Sequence, residues 1–174
     1  MSHLSQMDFV KRVKHQFSKS FSNTRVLEVG SFNINGSVRQ YFTGCDYLGV
    51  DIVEGKDVDL VGRAHELDIP KKSFDVAISC ECFEHDKYWI ETFMKMYASV
   101  KDDGLIVFTC ATDGRPEHGT TATSPQDSPL TNDYYKNLNE QHFRTWFNLD
   151  KMFKEYQFGT NANPNDLYFW GIKG

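Results

Sequence analysis

A buried strand that ends in a glycine-bearing turn, with a second strand shortly after it, constrains this chain more than any other feature. Residues 26–29 are apolar except for Glu28, Gly30 follows directly, and the second run ends in Asp51. A glycine lets the backbone approach a ligand, and a helix expected after the turn would present free N–H groups. A carboxylate at the tip of the neighbouring strand can accept both hydroxyls of a ribose. The pattern therefore predicts a nucleoside-binding site.

Two nucleoside cofactors, NAD and S-adenosylmethionine, fit this outline. NAD requires a G-x-G-x-x-G turn so that its pyrophosphate can sit on the helix N-terminus, but Phe32 and Asn33 occupy the tight part of this turn. Glu28 would repel a pyrophosphate, whereas it can interact with the ammonium group of S-adenosylmethionine. The turn therefore favours S-adenosylmethionine.

The order of motifs along the chain points to a family. The chain carries, in sequence, Glu28-x-Gly30, residues 35–39, 49–53, 58–61 and 73–79, the pair Glu84-His85, and residues 103–107. These motifs resemble those of class I S-adenosylmethionine-dependent methyltransferases and are most similar to the small "methyltransferase type 11" domains. The resemblance covers roughly residues 25–112, and residues around 112–137 resemble one subgroup only. It implies a Rossmann-like, seven-stranded, mostly parallel α/β sheet with helices on both faces and a C-terminal antiparallel hairpin.

A chain of 174 residues fits a single domain. Apolar residues at helical spacing predict an N-terminal helix over 3–19. The cofactor-binding core is expected over 25–111, an acceptor-site loop over 112–137, and a helix followed by the hairpin over 138–174.

Strands alternate with helices along the core, which favours a parallel sheet covered on both faces. Strands are predicted at about 25–29, 46–51, 58–61, 74–80 and 104–110, with an amphipathic helix between the last two. The aromatic runs 156–158 and 168–172 are joined too closely for a crossover helix, so they are expected to pair antiparallel. The connecting Asn163-Pro164 is interpreted as a turn.

The resemblance, together with side-chain chemistry, predicts the part of the cofactor site near the turn. Glu28 and Gly30 would lie at the amino acid end of the cofactor, Ser31 and Phe32 would form the wall of the turn, and Asp51 would accept from the ribose.

The adenine end of the predicted site departs from the family pattern. Ile52 is expected to pack on the adenine, and Ala64 stands where the family has a small residue. Arg63 stands where the family usually has an acid that accepts from the adenine amine, and arginine cannot accept a hydrogen bond. His65 or Glu66 could replace that acceptor.

Methyl transfer from a sulfonium is an in-line displacement, so positioning can supply most of the rate. A base is needed only where the acceptor must lose a proton. His118 is the leading candidate because histidine titrates near neutral pH, and Asp113 and His85 are further catalytic candidates.

Acceptor-binding candidates lie on the same loops. Arg115 could bind an acidic acceptor, Tyr134 and Tyr135 could form an aromatic wall, and Glu84 is a further candidate. Glu84 and His118, with Asp86 and Asp113, could also ligate a metal, but nothing in the sequence determines their geometry, so no metal is assigned.

Composition and local motifs limit the classes of molecule that this chain is expected to bind. A formal charge of -5 disfavours nucleic acid, and residues 79–83 lack the Asn/Asp-Pro-Pro-aromatic pattern of enzymes that methylate base amines. The N-terminus has no apolar core like that of a signal peptide, no run reaches membrane-spanning length, and the four cysteines form no C-x-x-C pair.

We expect a cytoplasmic enzyme that methylates an oxygen or nitrogen of a small molecule, sugar or lipid-linked saccharide. The alternatives are a non-catalytic cofactor-binding subunit and an NAD-dependent oxidoreductase.

Overall fold

A seven-stranded sheet organises the computed structural model, which describes residues 3–131 and 134–174. Its strands are β1 (Arg25–Val29), β2 (Asp46–Asp51), β3 (Leu60–Val61), β4 (Phe74–Cys80), β5 (Val100–Ala111), β6 (Phe153–Thr160) and β7 (Asp166–Lys173). The order is β3-β2-β1-β4-β5-β7-β6. Strands β1 to β5 pair in parallel, whereas β7 is antiparallel to both β5 and β6. The predicted fold class and C-terminal hairpin are confirmed.

Helices cover both faces of this sheet because alternate strand residues point to opposite sides. The helices are α1 (Leu4–Gln16), α2 (Trp89–Ser99), α3 (Glu140–Trp146) and α4 (Leu149–Met152). On one face, Val26 of β1 packs in a cluster with Val10 and Val13 of α1. On the other face, Leu27 belongs to a cluster that contains Phe93 of α2. None of the helices described in residues 3–131 and 134–174 is long and apolar enough to cross a membrane.

The helix expected after the glycine turn is reduced to a single 3₁₀ turn, Val38–Tyr41. Asn33 shapes the preceding loop, since its Oδ1 accepts from the Gly36 N–H at 2.9 Å. Phe42 then takes an extended conformation and Thr43 forms a bridge with Ser22, so the 3₁₀ turn does not continue as an α-helix before β2 begins at Asp46. The prediction of a helix N-terminus beside the ligand is therefore wrong.

Other boundaries shift for local reasons. β3 is shorter than predicted because the Asp59 side chain accepts from the Gly49 N–H at 2.7 Å and contacts Arg39, so this residue belongs to a loop. The C-terminal helix is divided into α3 and α4, because Asn148 caps a new helix through the Lys151 N–H. The N-terminal helix ends at Gln16, and residues 18–21 form a 3₁₀ turn. Asn163 and Pro164 lie in the connection between β6 and β7, as predicted.

Candidate active site

Strands β2 and β3 are added to the sheet on one side of β1, and strands β4 and β5 on the other side. A cleft opens at the carboxyl ends of β1 and β4, where the order of strands reverses and where open α/β sheets bind ligands. Its volume is about 1000 Å³, including the space at its open mouth. The turn after β1, the end of β2 and the loop after β3 form one part of the wall, the loop after β4 forms another, and residues 127–129 with Thr131 contribute a third.

Gly30 allows the turn after β1 to lie directly against the end of β4. Its φ is +79°, and a Cβ atom at this position would lie 2.7 Å from the Cβ of Cys82. The N–H groups of Gly30 and Ser31 both donate to the Val50 carbonyl, at 2.9 and 3.1 Å. Any larger residue would push the turn away from the sheet, so the glycine shapes the cleft floor.

Asp51 reaches the cleft from the end of β2. Its Oδ2 accepts from the Phe32 N–H at 3.0 Å and its Oδ1 accepts from the Val53 N–H at 3.2 Å. Burial raises the pKa of Asp51, and these N–H groups counteract part of that effect. Each carboxylate oxygen keeps acceptor capacity, so the side chain is oriented by the backbone and can still accept from a ligand.

Glu28 lines the cleft from β1 and is 4% exposed. Its Oε2 accepts from the Tyr47 hydroxyl at 2.7 Å. Burial raises the pKa of Glu28 to about 8, against the Tyr47 hydrogen bond, which lowers it. The Arg39 guanidinium lies 4.5 Å from the Tyr47 ring centroid. Sequence reasoning missed Tyr47, whose role depends on the pairing of β1 with β2.

The remaining predicted cofactor residues also line the cleft: Ser31, Phe32, Ile52, Arg63 and Ala64. The Arg63 guanidinium lies 5.6 Å from the ring centroid of Tyr88, a cation–π distance. The His65 ring packs on the same tyrosine with centroids 4.6 Å apart. The structure therefore gives Arg63 an aromatic partner at the position where the family usually has an acid.

On the opposite side of the cleft, Glu84 and His85 after β4 meet His118 of the loop after β5. Side-chain ligand atoms of these three residues all lie within 4.8 Å of one another. The ring of Tyr135 packs on His85 and His118, with centroid distances of 5.4 and 5.1 Å. Burial lowers the pKa of His85 to about 3 and also lowers that of His118, so both rings are neutral near pH 7. Burial raises the pKa of Glu84, and the nearby charge of Glu81 raises it further.

The structure places two other predicted residues differently. Asp113 is exposed and accepts from the Asn139 side chain at 2.8 Å, beside the start of α3 rather than beside the histidines. The Arg115 guanidinium forms an ion pair with Asp166 and lies 3.8 Å from Glu81. The Arg115 guanidinium is therefore paired with carboxylates of the chain itself, and Asp113 contacts the residue that caps α3. Tyr134 is half-buried near Asp86.

Glu81 and His3 form a further part of the site that sequence reasoning missed. Glu81 lines the cleft, and its Oε1 accepts from the Thr109 hydroxyl at 2.9 Å. His3 Nε2 lies 3.5 Å from Glu81 Oε2 and 3.1 Å from Asp166 Oδ2. Burial alone would raise the pKa of Glu81, but His3 and Arg115 outweigh it and lower the pKa to about 2. The residues are far apart in sequence, so no local pattern indicates the contact.

Comparison with known proteins identifies the family. A family model described as "Methyltransferase domain" matches residues 3–160. The chain belongs to this methyltransferase family. No protein of curated function matches the sequence of this methyltransferase.

Solved structures share the methyltransferase fold at low sequence identity. Phosphoethanolamine N-methyltransferase 2 of Haemonchus contortus, in complex with S-adenosyl-L-methionine, superposes with a TM-score of 0.68 at 19% identity, over 95% of this chain and 52% of that chain. The 1,6-didemethyltoxoflavin-N1-methyltransferase of Burkholderia thailandensis gives 0.67 at 18%, over 97% and 78%. The CurJ carbon methyltransferase gives 0.66 at 13%, over 97% and 54%. This chain thus spans about half the length of the first and third of these proteins.

Proposed function

We propose that this methyltransferase transfers a methyl group from S-adenosylmethionine to an oxygen or nitrogen atom of a small molecule, a sugar or a lipid-linked saccharide. The observation that carries the proposal is the carboxylate of Asp51, oriented by two backbone N–H groups at the end of β2 inside the cleft. This geometry suits a ribose with two adjacent hydroxyls.

The charges of the cleft fit S-adenosylmethionine better than NAD. Acidic residues line it, namely Glu28, Asp51, Glu81, Asp86 and Asp127, whereas Arg63 is the permanent cation among the described lining residues. Even with Glu28 protonated, as its pKa of about 8 implies near neutral pH, the other carboxylates attract a sulfonium and an ammonium and repel a pyrophosphate. The 3₁₀ turn after Gly30 also lacks the helix N-terminus on which a pyrophosphate would sit. Relatives crystallised with S-adenosylmethionine or S-adenosylhomocysteine support the same choice.

Within this proposal, Glu28 and Gly30 face the amino acid end of the cofactor, and Ser31 and Phe32 form the wall of the turn. Ile52, Arg63 and Ala64 form the adenine end. The cofactor supplies an electrophilic methyl group when bound. The protein holds the cofactor and the acceptor in line, which alone can give large accelerations.

The acceptor side of the proposed enzyme is the cluster of Glu84, His85 and His118, with Tyr135 packed on it. His85 lines the cofactor cleft, so this cluster adjoins the region where methyl transfer would take place. An acceptor hydroxyl or amine must lose a proton, and the neutral imidazole of His118 can assist that loss. The structures of relatives include acceptors as different as 1,6-didemethyltoxoflavin and phosphomonomethylethanolamine, which agrees with a small-molecule acceptor here. The prediction of a cytoplasmic location still rests on the sequence, together with the four free cysteines.

Calorimetry with S-adenosylhomocysteine tests the cofactor assignment. Asp51→Ala should weaken binding by about 1.5–3 kcal/mol, or roughly tenfold to a hundredfold, because charge-assisted hydrogen bonds to the ribose are lost. Asp51→Asn, which can still accept from one backbone N–H, should lose affinity while better preserving the turn. Asp46→Ala at the other, exposed end of β2 is the matched control and should bind like the wild type.

An unchanged dissociation constant for both Asp51 variants would contradict the assignment. Tighter binding of NAD than of S-adenosylhomocysteine would favour an oxidoreductase instead. A wild-type protein that binds the cofactor but releases no S-adenosylhomocysteine with any acceptor would favour a non-catalytic subunit.

A further inference from the structure

The cluster on the acceptor side of the cleft contains an unusual number of unpaired polar atoms. Both carboxylate oxygens of Glu84, both ring nitrogens of His85 and Nε2 of His118 are buried and have no hydrogen-bond partner in the described part of the chain. Glu84 is 0% and His85 6% exposed. An unsatisfied buried polar group costs about 1–3 kcal/mol, and most such groups in native proteins have partners. A concentration of them at one point indicates a ligand.

We propose that Glu84, His85 and His118 bind a divalent transition-metal ion. Two imidazoles and a carboxylate are donors that zinc and similar ions accept. His118 Nε2 lies 3.9 Å from Glu84 Oε1, and one ligand atom from each of the three residues lies within 4.8 Å of the other two. Ligands about 2.1 Å from a tetrahedral zinc ion are roughly 3.4 Å apart. Side-chain movements of about 1 Å would therefore close the site.

The environment of His118 prepares one ring nitrogen for a metal. Its Nδ1 lies 3.2 Å from the Pro116 carbonyl oxygen. A carbonyl can only accept, so Nδ1 carries the proton and Nε2 presents its lone pair toward Glu84. Histidine ligands in metal sites characteristically donate their second N–H to a carbonyl or carboxylate in this way. The same carbonyl accepts from the Tyr135 hydroxyl at 3.2 Å, which connects the packed tyrosine to the histidine.

Gly119 brings the loop that carries His118 close to His85. Its φ is +66°, and a Cβ at this position would lie 2.8 Å from His85 Cε1. A residue with a side chain would separate the two histidines. The glycine is therefore needed for the juxtaposition of the proposed ligands, which come from loops after two different strands.

The ligand set also indicates the kind of ion and its use. Magnesium and calcium prefer oxygen ligands, so two imidazoles favour a transition-metal ion such as zinc, cobalt or iron. Three protein ligands leave a coordination position open, as in catalytic metal sites. This use of the metal rests on the proposed function. An acceptor hydroxyl bound to the ion would lose its proton to solvent, and its oxygen would form a bond to the methyl carbon as the carbon–sulfur bond breaks. The electron pair of that bond remains on sulfur, giving a neutral thioether.

Metal binding can be measured without any methyl acceptor. Protein treated with a chelator and then dialysed is titrated with zinc, cobalt or magnesium chloride by calorimetry, and visible absorption follows the cobalt complex. The wild type should bind one zinc or cobalt ion per chain, and magnesium far more weakly. His118→Ala and Glu84→Gln should each weaken zinc binding by more than about 100-fold, since even outer-sphere partners contribute ~10–100-fold.

His15→Ala is the matched control because His15 is exposed on α1, and it should bind zinc like the wild type. Circular dichroism checks the folding of each variant. Should His118→Ala fail to fold, the nearly isosteric Glu84→Gln carries the test. Absence of stoichiometric zinc binding by the wild type, or unchanged affinity in the ligand variants, would overturn the inference.

Titration of S-adenosylhomocysteine into the metal-free and the zinc-loaded protein separates this inference from the proposed function. Cofactor binding with no zinc binding leaves the methyltransferase proposal standing and overturns the metal site. Zinc binding with no cofactor binding does the reverse. Full turnover of the chelated, metal-free protein would overturn the proposed use of the ion in activating the acceptor.

Discussion

The carboxyl edge of the sheet carries two buried clusters built from the same residue types. One contains His3, Glu81 and Asp166, and the other contains Glu84, His85 and His118. In the first, which we call the paired cluster, Arg115 and His3 face the two carboxylates. In the second, the unpaired cluster, no lysine or arginine of the described residues forms an ion pair with Glu84, and both ring nitrogens of His85 and Nε2 of His118 lack a hydrogen-bond partner there.

This difference shows that burial of acids and histidines does not by itself mark a functional site. The paired cluster joins the N-cap of α1 to the start of β7 and to the loop after β4, so its charges hold together elements that are distant in sequence. Breaking such a network leaves a buried charge without a partner. The unpaired cluster connects two loops at the cleft. Its polar atoms without hydrogen-bond partners are better explained by a ligand that binds from outside the chain.

The largest expected contrast between the clusters is in turnover. His118→Ala should lower turnover by about 10²–10⁴ at saturating substrate, because the group that promotes acceptor deprotonation is lost. Cofactor affinity should remain near that of the wild type, since His118 is not among the residues that line the cofactor cleft. Release of S-adenosylhomocysteine is measured with acceptors on which the wild type is active, and His15→Ala serves as the control. Full turnover of His118→Ala would remove this residue from the mechanism.

The next contrast is in stability. Asp166→Asn or Arg115→Met in the paired cluster should lower the free energy of unfolding by about 3–5 kcal/mol, because each leaves its former partner buried and uncompensated. Urea denaturation measures this loss, and zinc affinity should be retained under native conditions. Asp46→Asn, in an exposed ion pair with Arg25, should cost only about 0–1 kcal/mol. Equal losses for the buried and exposed variants would show that the paired cluster does not hold the fold together.

Sequence reasoning was most successful where structure depends on local pattern. The strand ends at Glu28 and Asp51, the turn at Gly30 and the antiparallel hairpin follow from apolar periodicity, glycine placement and short connections. The same reasoning gave a helix after Gly30 where the structure has a 3₁₀ turn, because the competing hydrogen bond from the Gly36 N–H to the Asn33 side chain is not visible as periodicity.

The candidate site was less predictable because its decisive contacts join distant segments. The sequence near Arg115 does not indicate that its guanidinium will form an ion pair with Asp166 of β7. The sequence near His3 likewise does not indicate its contact with Glu81. Similarly, the approach of His118 to Glu84 depends on the path of the loop after β5, which passes Gly119 at a positive φ. Candidate residue types could be listed from the sequence, but their pairing required the fold.

The smallest expected effect is on the pH dependence of stability. It arises from the titration of His3 in the paired cluster. Burial lowers the pKa of His3, but its contacts with the carboxylates of Asp166 and Glu81 outweigh burial and raise the pKa to about 9. The folded protein then holds a proton that the unfolded chain releases near its ordinary pKa of about 6.5. The stabilisation is therefore fully present below about pH 6.5 and is lost as pH rises through about 9. Asp166 and Glu81 face His3 as acids, and Arg115, which pairs with both, opposes its protonation. Because part of the His3 ring is exposed and screened by solvent, we expect a contribution of about 1–2 kcal/mol rather than that of the full pKa difference.

Urea denaturation at about pH 6 and about pH 10 should show a larger loss of stability for the wild type than for His3→Gln, which cannot titrate in this range. His15→Gln, an exposed histidine on the same helix, should behave like the wild type. Identical pH dependence in the wild type and His3→Gln would mean that the imidazole of His3 is not charged in the folded protein, and that α1 is held by its apolar face alone.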